Sequence, residues 1–253
     1  MNVIAFTDLD DTLFQSPRKC PKAHQYAIAA DLPNGQPGAY ATPQQQTLTA
    51  LLAPYLIIPV TGRRTDSLSR VRMAFPHYKI ASHGAIILDA HNNIHPAWLD
   101  ILQAEEPQWR VHLQTLEHDL LNYIARHALD LRVRIVEDYG YACYVCVKGD
   151  NEHLKKMQEG YNPRLPVDGF MCHMNDRNLA YMPPYASKKR AVIFLKAELD
   201  AEFNSTYDSG STPKSNPAIT YFGVGDSNSD AAFMSVCDFQ ILPSQSQIAE
   251  NLQ

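Results

Sequence analysis

Asp8 and Asp10 stand two residues apart in Asp8-Leu9-Asp10-Asp11-Thr12, directly after the apolar run Val3–Phe6. Two carboxylates at that spacing, where a buried strand gives way to a turn, can converge on one cation. Magnesium takes hard oxygen ligands in octahedral geometry, so a carboxylate, a backbone carbonyl, a distant aspartate and water suit it. Taken alone, the tract fits an acidic surface turn equally well. Three further positions change the balance. Thr61-Gly62-Arg63 offers a hydroxyl and backbone N–H groups that can cradle an anion. Lys188 opens a helical stretch, where a compact ammonium and a helix N-terminus can face the same phosphoryl group. Gly225-Asp226-Ser227-Asn228-Ser229-Asp230 adds carboxylates. Singly, Thr61 could be an N-cap, Lys188 a solvated lysine and Asp226 a turn former. Their order along the chain is what argues for one site.

That order depends on the elements that carry them. Val3–Phe6, Leu56–Val60, Lys79–Ala81 and Tyr221–Val224 are short apolar, β-branched runs ending in small or polar residues, and Phe239–Leu242 is a fifth. Continuous apolar runs of this length suit strands buried on both faces of a parallel sheet. Helical stretches separate them. Thr42-Pro43 opens one to about Ala53, Thr65-Asp66 one to about Met73, Ser187 one through Leu199, and Ser229-Asp230 a fourth. Alternating strand and helix gives an α/β domain, whose chemistry collects beyond the carboxyl ends of its strands.

The middle of the chain differs. Ala85–Asp89 and Ile94–Trp98, joined by His91-Asn92-Asn93, are expected to form a hairpin. A long helix, Leu99–His127, is followed by alternating strands Leu131–Glu137 and Tyr141–Lys148. A helix at Asn151–Glu159 then precedes strands Gly169–His173 and Asn178–Met182. The pattern αββ-αββ makes a small α+β unit with helices on one side, inserted into the parallel domain. The expected division is 1–84 with 185–253 for the core and 85–184 for the insertion. Residues 15–41, with the turn cluster Pro33–Gly38, read as a hairpin flap near Asp8, and 204–217 as a polar surface loop.

Composition narrows the classes. The chain has 253 residues, with 45% hydrophobic and 19% charged, as in an ordinary soluble globular protein. A net charge of −5 argues against nucleic acid and anionic membranes as partners. No apolar stretch is long enough to span a bilayer, and the acids at 8–11 spoil a signal peptide, so a cytoplasmic protein is expected. Five scattered cysteines give no disulfide framework. Cys143 and Cys146 form a CxxC, but strand alternation sends the two thiols to opposite faces.

These residues together resemble the haloacid dehalogenase (HAD) superfamily of phosphohydrolases, and within it the Cof-type, sucrose-phosphatase and trehalose-phosphatase branch. Asp8-Leu9-Asp10-Asp11-Thr12 matches the first motif, DxDxT, Thr61 the second, Lys188 the third, and Gly225-Asp226 with Asp230 the fourth. The insertion before Lys188 stands where this branch carries a type 2B cap. The resemblance implies a HAD-like Rossmannoid core with an inserted αββαββ cap. It implies Asp8 as nucleophile, Asp10 as general acid and base, and Thr61 and Lys188 as phosphoryl ligands. Mg²⁺ would be held by Asp8, the Asp10 carbonyl and Asp226, with Asp230 a ligand or a support. Ser229 replaces the asparagine usual in Cof and sucrose-phosphatase sequences, and Lys189 the glycine usual after the lysine. The expected reaction is hydrolysis of a small phosphorylated metabolite, a sugar phosphate first among candidates, by a monomer or homodimer. Gly62, Arg63, His173, Asn175 and Arg177 are candidate substrate contacts.

A phosphomannomutase-like phosphosugar mutase shares the motifs and cap type and stays open as the alternative. A receiver domain would need an acid at the third strand end, where Ser82-His83-Gly84 stands. A metal-dependent glycosyltransferase would carry its DxD mid-chain, and a catalytically dead binding protein would not keep every motif position filled.

Overall fold

The computed structural model describes residues 2–175, 177–207 and 218–250. The chain divides into two compact units, one of residues 1–93 and 188–253, the other of Ile94–Ser187.

The first unit is built on a parallel sheet. Strands β1 (Val3–Thr7), β2 (Ala27–Asp31) and β3 (Pro37–Ala41) are followed by helix α1 (Pro43–Leu52), strand β4 (Leu56–Pro59) and the short helix α2 (Thr65–Leu68). Strands β5 (Lys79–Ala81) and β6 (Ile86–Leu88) complete the first segment. After the insertion come helix α5 (Lys188–Tyr207), strand β11 (Thr220–Val224), helix α6 (Asn228–Met234), strand β12 (Phe239–Ile241) and helix α7 (Gln247–Glu250). The sheet order is β12-β11-β1-β4, with every pairing parallel. A bridge from Val60 to Ile80 sets β5 beside the end of β4. Ile4, Ala5, Phe6, Ile58 and Val224 are buried, which is why these strands read as unbroken apolar runs. Helix α1 starts where Thr42-Pro43 signals it. The Thr42 hydroxyl accepts from the Gln45 N–H while the Gln45 side chain accepts from the Thr42 N–H.

The second unit contains helix α3 (Pro96–Arg126), strands β7 (Leu131–Asp138) and β8 (Tyr141–Gly149), helix α4 (Asn151–Tyr161), and strands β9 (Met171–Asn175) and β10 (Asn178–Met182). Its antiparallel sheet runs β7-β8-β10-β9. Leu113, Leu116 and Leu120 of α3 and Leu154 and Met157 of α4 pack on Val145, Val147, Leu179 and Tyr181, covering one face. This is the expected αββαββ pattern. Cys143 and Cys146 on β8 are not joined in a disulfide, and burial raises the Cys146 thiol.

Three local expectations are corrected. The second strand expected at 94–98 is cut short: Asp89 N–H donates to the Asn93 carbonyl (2.8 Å) across the His91-Asn92-Asn93 turn and Ile94 is a bridge residue, but the helix begins two residues later. Strand β6 folds back antiparallel on β5, pairing Lys79 with Leu88 and Ala81 with Ile86, while Pro96 opens α3. The helix from Thr65 stops at Leu68 rather than Met73. The next residues are captured by β2: Asp31 N–H donates to the Arg70 carbonyl and Arg72 N–H to that of Ala29. The loop expected from 204 begins later, because α5 runs to Tyr207; its remainder, 208–217, lies outside the described residues.

Candidate active site

Asp8 follows β1, a central strand, and its N–H donates to the Val224 carbonyl at the end of β11 (2.8 Å). Its carboxylate is buried and accepts from Lys188 Nζ at 2.8 Å. The same ammonium donates to Asp230 Oδ1 at 2.6 Å. Lys188 is the first residue of α5, so it is this lysine rather than Lys189 that reaches the carboxylates. It also stands 5.9 Å from the centroid of the Phe233 ring.

The Asp226 segment is tied down from within. Asp230 Oδ2 accepts from the Ser227 hydroxyl (2.6 Å), the Ser227 N–H (3.0 Å) and the Asp226 N–H (3.3 Å). Helix α6 therefore begins at Asn228 with Ser227 as its cap, two residues before the expected Ser229-Asp230 start. Gly225 permits the close turn, since a Cβ there would lie 2.5 Å from the Asp230 Cβ. Thr12 links the first and fourth motifs by donating from Oγ1 to Asp226 Oδ1 at 3.0 Å.

Ligand atoms of Asp8, Asp226 and Asp230 lie within 4.8 Å of one another. Three carboxylates against the single Lys188 ammonium leave two negative charges uncompensated. A divalent cation with a preference for oxygen fits that deficit. Both Asp230 oxygens already accept hydrogen bonds, so Asp8 and Asp226 are the better placed ligands and Asp230 the support behind them. The charge balance shows in the proton affinities. Burial pushes the Asp8 carboxyl well above the ordinary carboxylate range, with Lys188 pulling it down and Asp230 adding to the rise. Asp226 is pushed up to about 6 by burial and by Asp230 and Asp11. Burial would also raise Asp230, but Lys188 and the Ser227 hydrogen bonds outweigh it and the carboxyl is lowered. Burial works against the charge of Lys188, yet Asp230 and Asp8 hold it as a cation.

Asp10 has a different partner. Arg63 grips it with Nε to Oδ2 at 2.6 Å and Nη2 to Oδ1 at 2.7 Å, a bidentate pair. Arg63 also stacks on Phe14, 5.0 Å from the ring centroid. Burial would weaken its proton affinity, but Asp10 wins and raises it. Arg63, a candidate substrate contact, thus has its fork committed to Asp10. Thr61 is buried, and its Oγ1 accepts from the Arg63 N–H at 3.1 Å.

The segment Ser82-His83-Gly84 was not among the candidate residues, yet it locks onto the Thr61 loop. His83 N–H donates to the Thr61 carbonyl (3.0 Å) and Ser82 N–H to that of Arg63 (2.7 Å). All three residues have positive φ: Ser82 50°, His83 59° and Gly84 100°. For the two that carry a Cβ this costs about 1–3 kcal/mol each, strain that persists only where the surroundings impose it.

His173 and Asn175 alternate on β9 and so share a sheet face, opposite the one covered by α3 and α4. Register places Asn175, Asn178, Lys148 and Arg132 in one cross-strand row, and His173, Ala180, Cys146 and Arg134 in the next. Arg177 lies in the turn before β10.

A scan of protein-family models finds no match, and a search of curated proteins finds none either. Solved structures do match. The C-terminal domain of trehalose-6-phosphate phosphatase from C. albicans aligns at 14% identity, over 92% of this chain and 72% of that one, with a TM-score of 0.54. The Thermoplasma acidophilum 0175 protein aligns at 12% identity over 100% and 89%, also with a TM-score of 0.54. A haloacid dehalogenase-like hydrolase from B. subtilis aligns at 13% identity over 100% and 97%, with a TM-score of 0.48.

The fold is like that of the trehalose-6-phosphate phosphatase domain and of the Thermoplasma acidophilum 0175 protein. At these identities the likeness concerns the fold, and any chemistry has to be argued from side chains. In this fold the carboxyl ends of β1, β4 and β11 bring Asp8, Thr61 and Asp226 to one end of the parallel sheet, as open α/β sheets arrange their sites.

Proposed function

We propose that the chain is a Mg²⁺-dependent phosphomonoester hydrolase that works through an aspartyl-phosphate on Asp8 and acts on a small phosphorylated metabolite, a sugar phosphate foremost. One observation carries the reading. A buried carboxylate at the carboxyl end of a central parallel strand bonds to a buried ammonium, within a carboxylate cluster that lacks two positive charges. Phosphoryl transfer asks mainly for positioning and charge neutralisation, and this cluster offers both.

An Asp8 oxygen attacks phosphorus in line with the leaving oxygen, forming the aspartyl-phosphate as the P–O ester bond breaks. Asp10 gives its proton to that leaving oxygen, then takes one from the water that attacks phosphorus and frees Asp8 with inorganic phosphate. To donate, Asp10 must hold a proton, so one arm of its bidentate pair with Arg63 has to loosen when substrate binds. The Thr61 hydroxyl and the Lys188 ammonium hold the phosphoryl oxygens. A magnesium ion held by Asp8, the Asp10 carbonyl and Asp226 would neutralise developing charge on the phosphoryl group. His173, Asn175 and Arg177 are assigned to substrate choice, and their face, rich in Arg132, Arg134 and Lys148, suits a polar, anionic compound.

The test is phosphate release from a panel of phosphorylated metabolites, with and without Mg²⁺, using Asp8→Asn as control. Turnover is expected from the wild type in Mg²⁺ and from neither the variant nor the chelated protein. Equal turnover by wild type and Asp8→Asn would sink the mechanism.

A further inference from the structure

From Ile80 to Leu88 every residue is buried except His83, which is half-buried. Its imidazole lies against Gly62. A Cβ placed on that glycine would meet His83 Cε1 at 2.5 Å, Nε2 at 2.6 Å and Nδ1 at 3.1 Å. Contacts under 3.0 Å are essentially never made by real Cβ atoms, so a side chain at 62 would have to push the ring out of its place. The ring is also placed with care. Two consecutive left-handed residues and two backbone hydrogen bonds, to the carbonyls of Thr61 and Arg63, fix it over this one loop. Hairpin turns that need two left-handed residues favour asparagine, aspartate and glycine there, and this one holds serine and histidine. A backbone held in sparsely populated φ/ψ space, beside residues already assigned to phosphoryl binding, points to function.

We propose that His83 is a positioning residue for the phosphoryl cradle of Thr61 and Gly62. Its ring is the wall against which the loop rests, and Gly62 is glycine so that the ring can reach the backbone. The wall keeps the Thr61 hydroxyl and the Gly62 N–H aimed at the phosphoryl oxygens through the transition state. The role rests on the phosphatase reading above. Displacing such donors by even about an ångström costs on the order of a hundredfold in rate.

The test is a double-mutant cycle of Gly62→Ala, His83→Ala and the pair together, read by thermal melting and by turnover of p-nitrophenyl phosphate. Gly62→Ala is expected to lower both the melting temperature and kcat, because the methyl group drives into the ring. His83→Ala is expected to lower kcat roughly ten- to a hundredfold, with the Mg²⁺-induced rise in melting temperature unchanged, since Asp8 and Asp226 stand on other loops, after β1 and β11. A purely structural defect would not separate those two readouts. The pair together is expected to melt higher and turn over faster than Gly62→Ala alone, the methyl group occupying the vacated space. Effects that simply multiply, or a kcat for His83→Ala within about twofold of wild type, would overturn the proposal. If the wild type hydrolyses no ester, the phosphatase reading fails by itself. The melting cycle still judges the wall: additive melting shifts would overturn it, and rescue in the pair would uphold it.

Discussion

Replacing Lys188 with methionine removes the positive charge shared by two buried carboxylates, Asp8 and Asp230, beside the half-buried Asp226, while keeping a chain of similar length. The ammonium lies 2.8 Å from Asp8 and 2.6 Å from Asp230, and both acids are nearly inaccessible to water. Breaking a buried pair from one side leaves an uncompensated charge and costs about 3–5 kcal/mol. The parallel-sheet unit is a domain for which each kcal/mol moves the melting temperature by about 2–4 °C, so a fall of about 6–20 °C is expected. The deficit carries a pH signature. Asp8 is already raised by burial, with Lys188 the main influence opposing it, so the variant raises it further. A carboxyl raised in the folded state binds protons more tightly there than in the unfolded chain. Its contribution to stability is present at low pH and lost as pH climbs through the raised value. The gap between Lys188→Met and wild type should therefore widen from pH 5 to pH 8, measured by melting in the metal-free state. Excess Mg²⁺ should recover part of it, because a divalent ion replaces the missing charge. A variant that melts within about 2 °C of wild type at pH 8, or one that Mg²⁺ does not help, would refute the charge bookkeeping of the site.

Two further predictions rest on neighbouring groups. Asp226, raised to about 6 from an ordinary value of 3.8, should make the metal-free protein lose up to about 3 kcal/mol as pH rises from about 4 to beyond 6. Melting curves across that range should slope less in Asp226→Asn and in saturating Mg²⁺; an unchanged slope would discount the shift. Arg63→Lys keeps the charge but cannot form the two-pronged grip on Asp10, so kcat should fall by about tenfold or more with the fold intact. Wild-type kcat in that variant would show that the pair does not position Asp10.

Much of the fold was readable because the signals are local. Runs such as Leu56–Pro59 and Tyr221–Val224 are buried on both faces and lack alternation, whereas Leu131–Asp138 alternates because only one face is packed. The motif residues were readable for the same reason, each sitting within a few residues of a strand end or helix start. The failures are non-local. The stop of α2 at Leu68 depends on β2 taking the backbone of 70–72, about forty residues away in sequence. The pairing of β6 with β5 was missed because the turn signal at His91-Asn92-Asn93 is the stronger one, and the chain does turn there, with Asn92 at φ 64° and Asp89 N–H on the Asn93 carbonyl. The turn between β5 and β6 is Ser82-His83-Gly84, whose first two residues give no hint of a left-handed backbone. The grip of Arg63 on Asp10 spans 53 positions, and no periodicity announces it.

The way the cations are divided among the acids explains why so many charges can share one end of a sheet. Asp10 is neutralised by Arg63, and Asp230 by Lys188 and the Ser227 donors, which is why the Asp230 carboxyl falls while its neighbours rise. Asp8 receives only part of one ammonium, and Asp226 only the Thr12 hydroxyl and the more distant influence of Lys188. The two acids left short are the two proposed above as carboxylate ligands of a divalent ion, with the Asp10 carbonyl beside them. Supplying Asp226 with a protein cation would relieve its raised proton affinity, but it would also remove the reason for a divalent ion to bind. On the proposed reading, the under-compensated pair would be the binding energy of the metal site held in reserve.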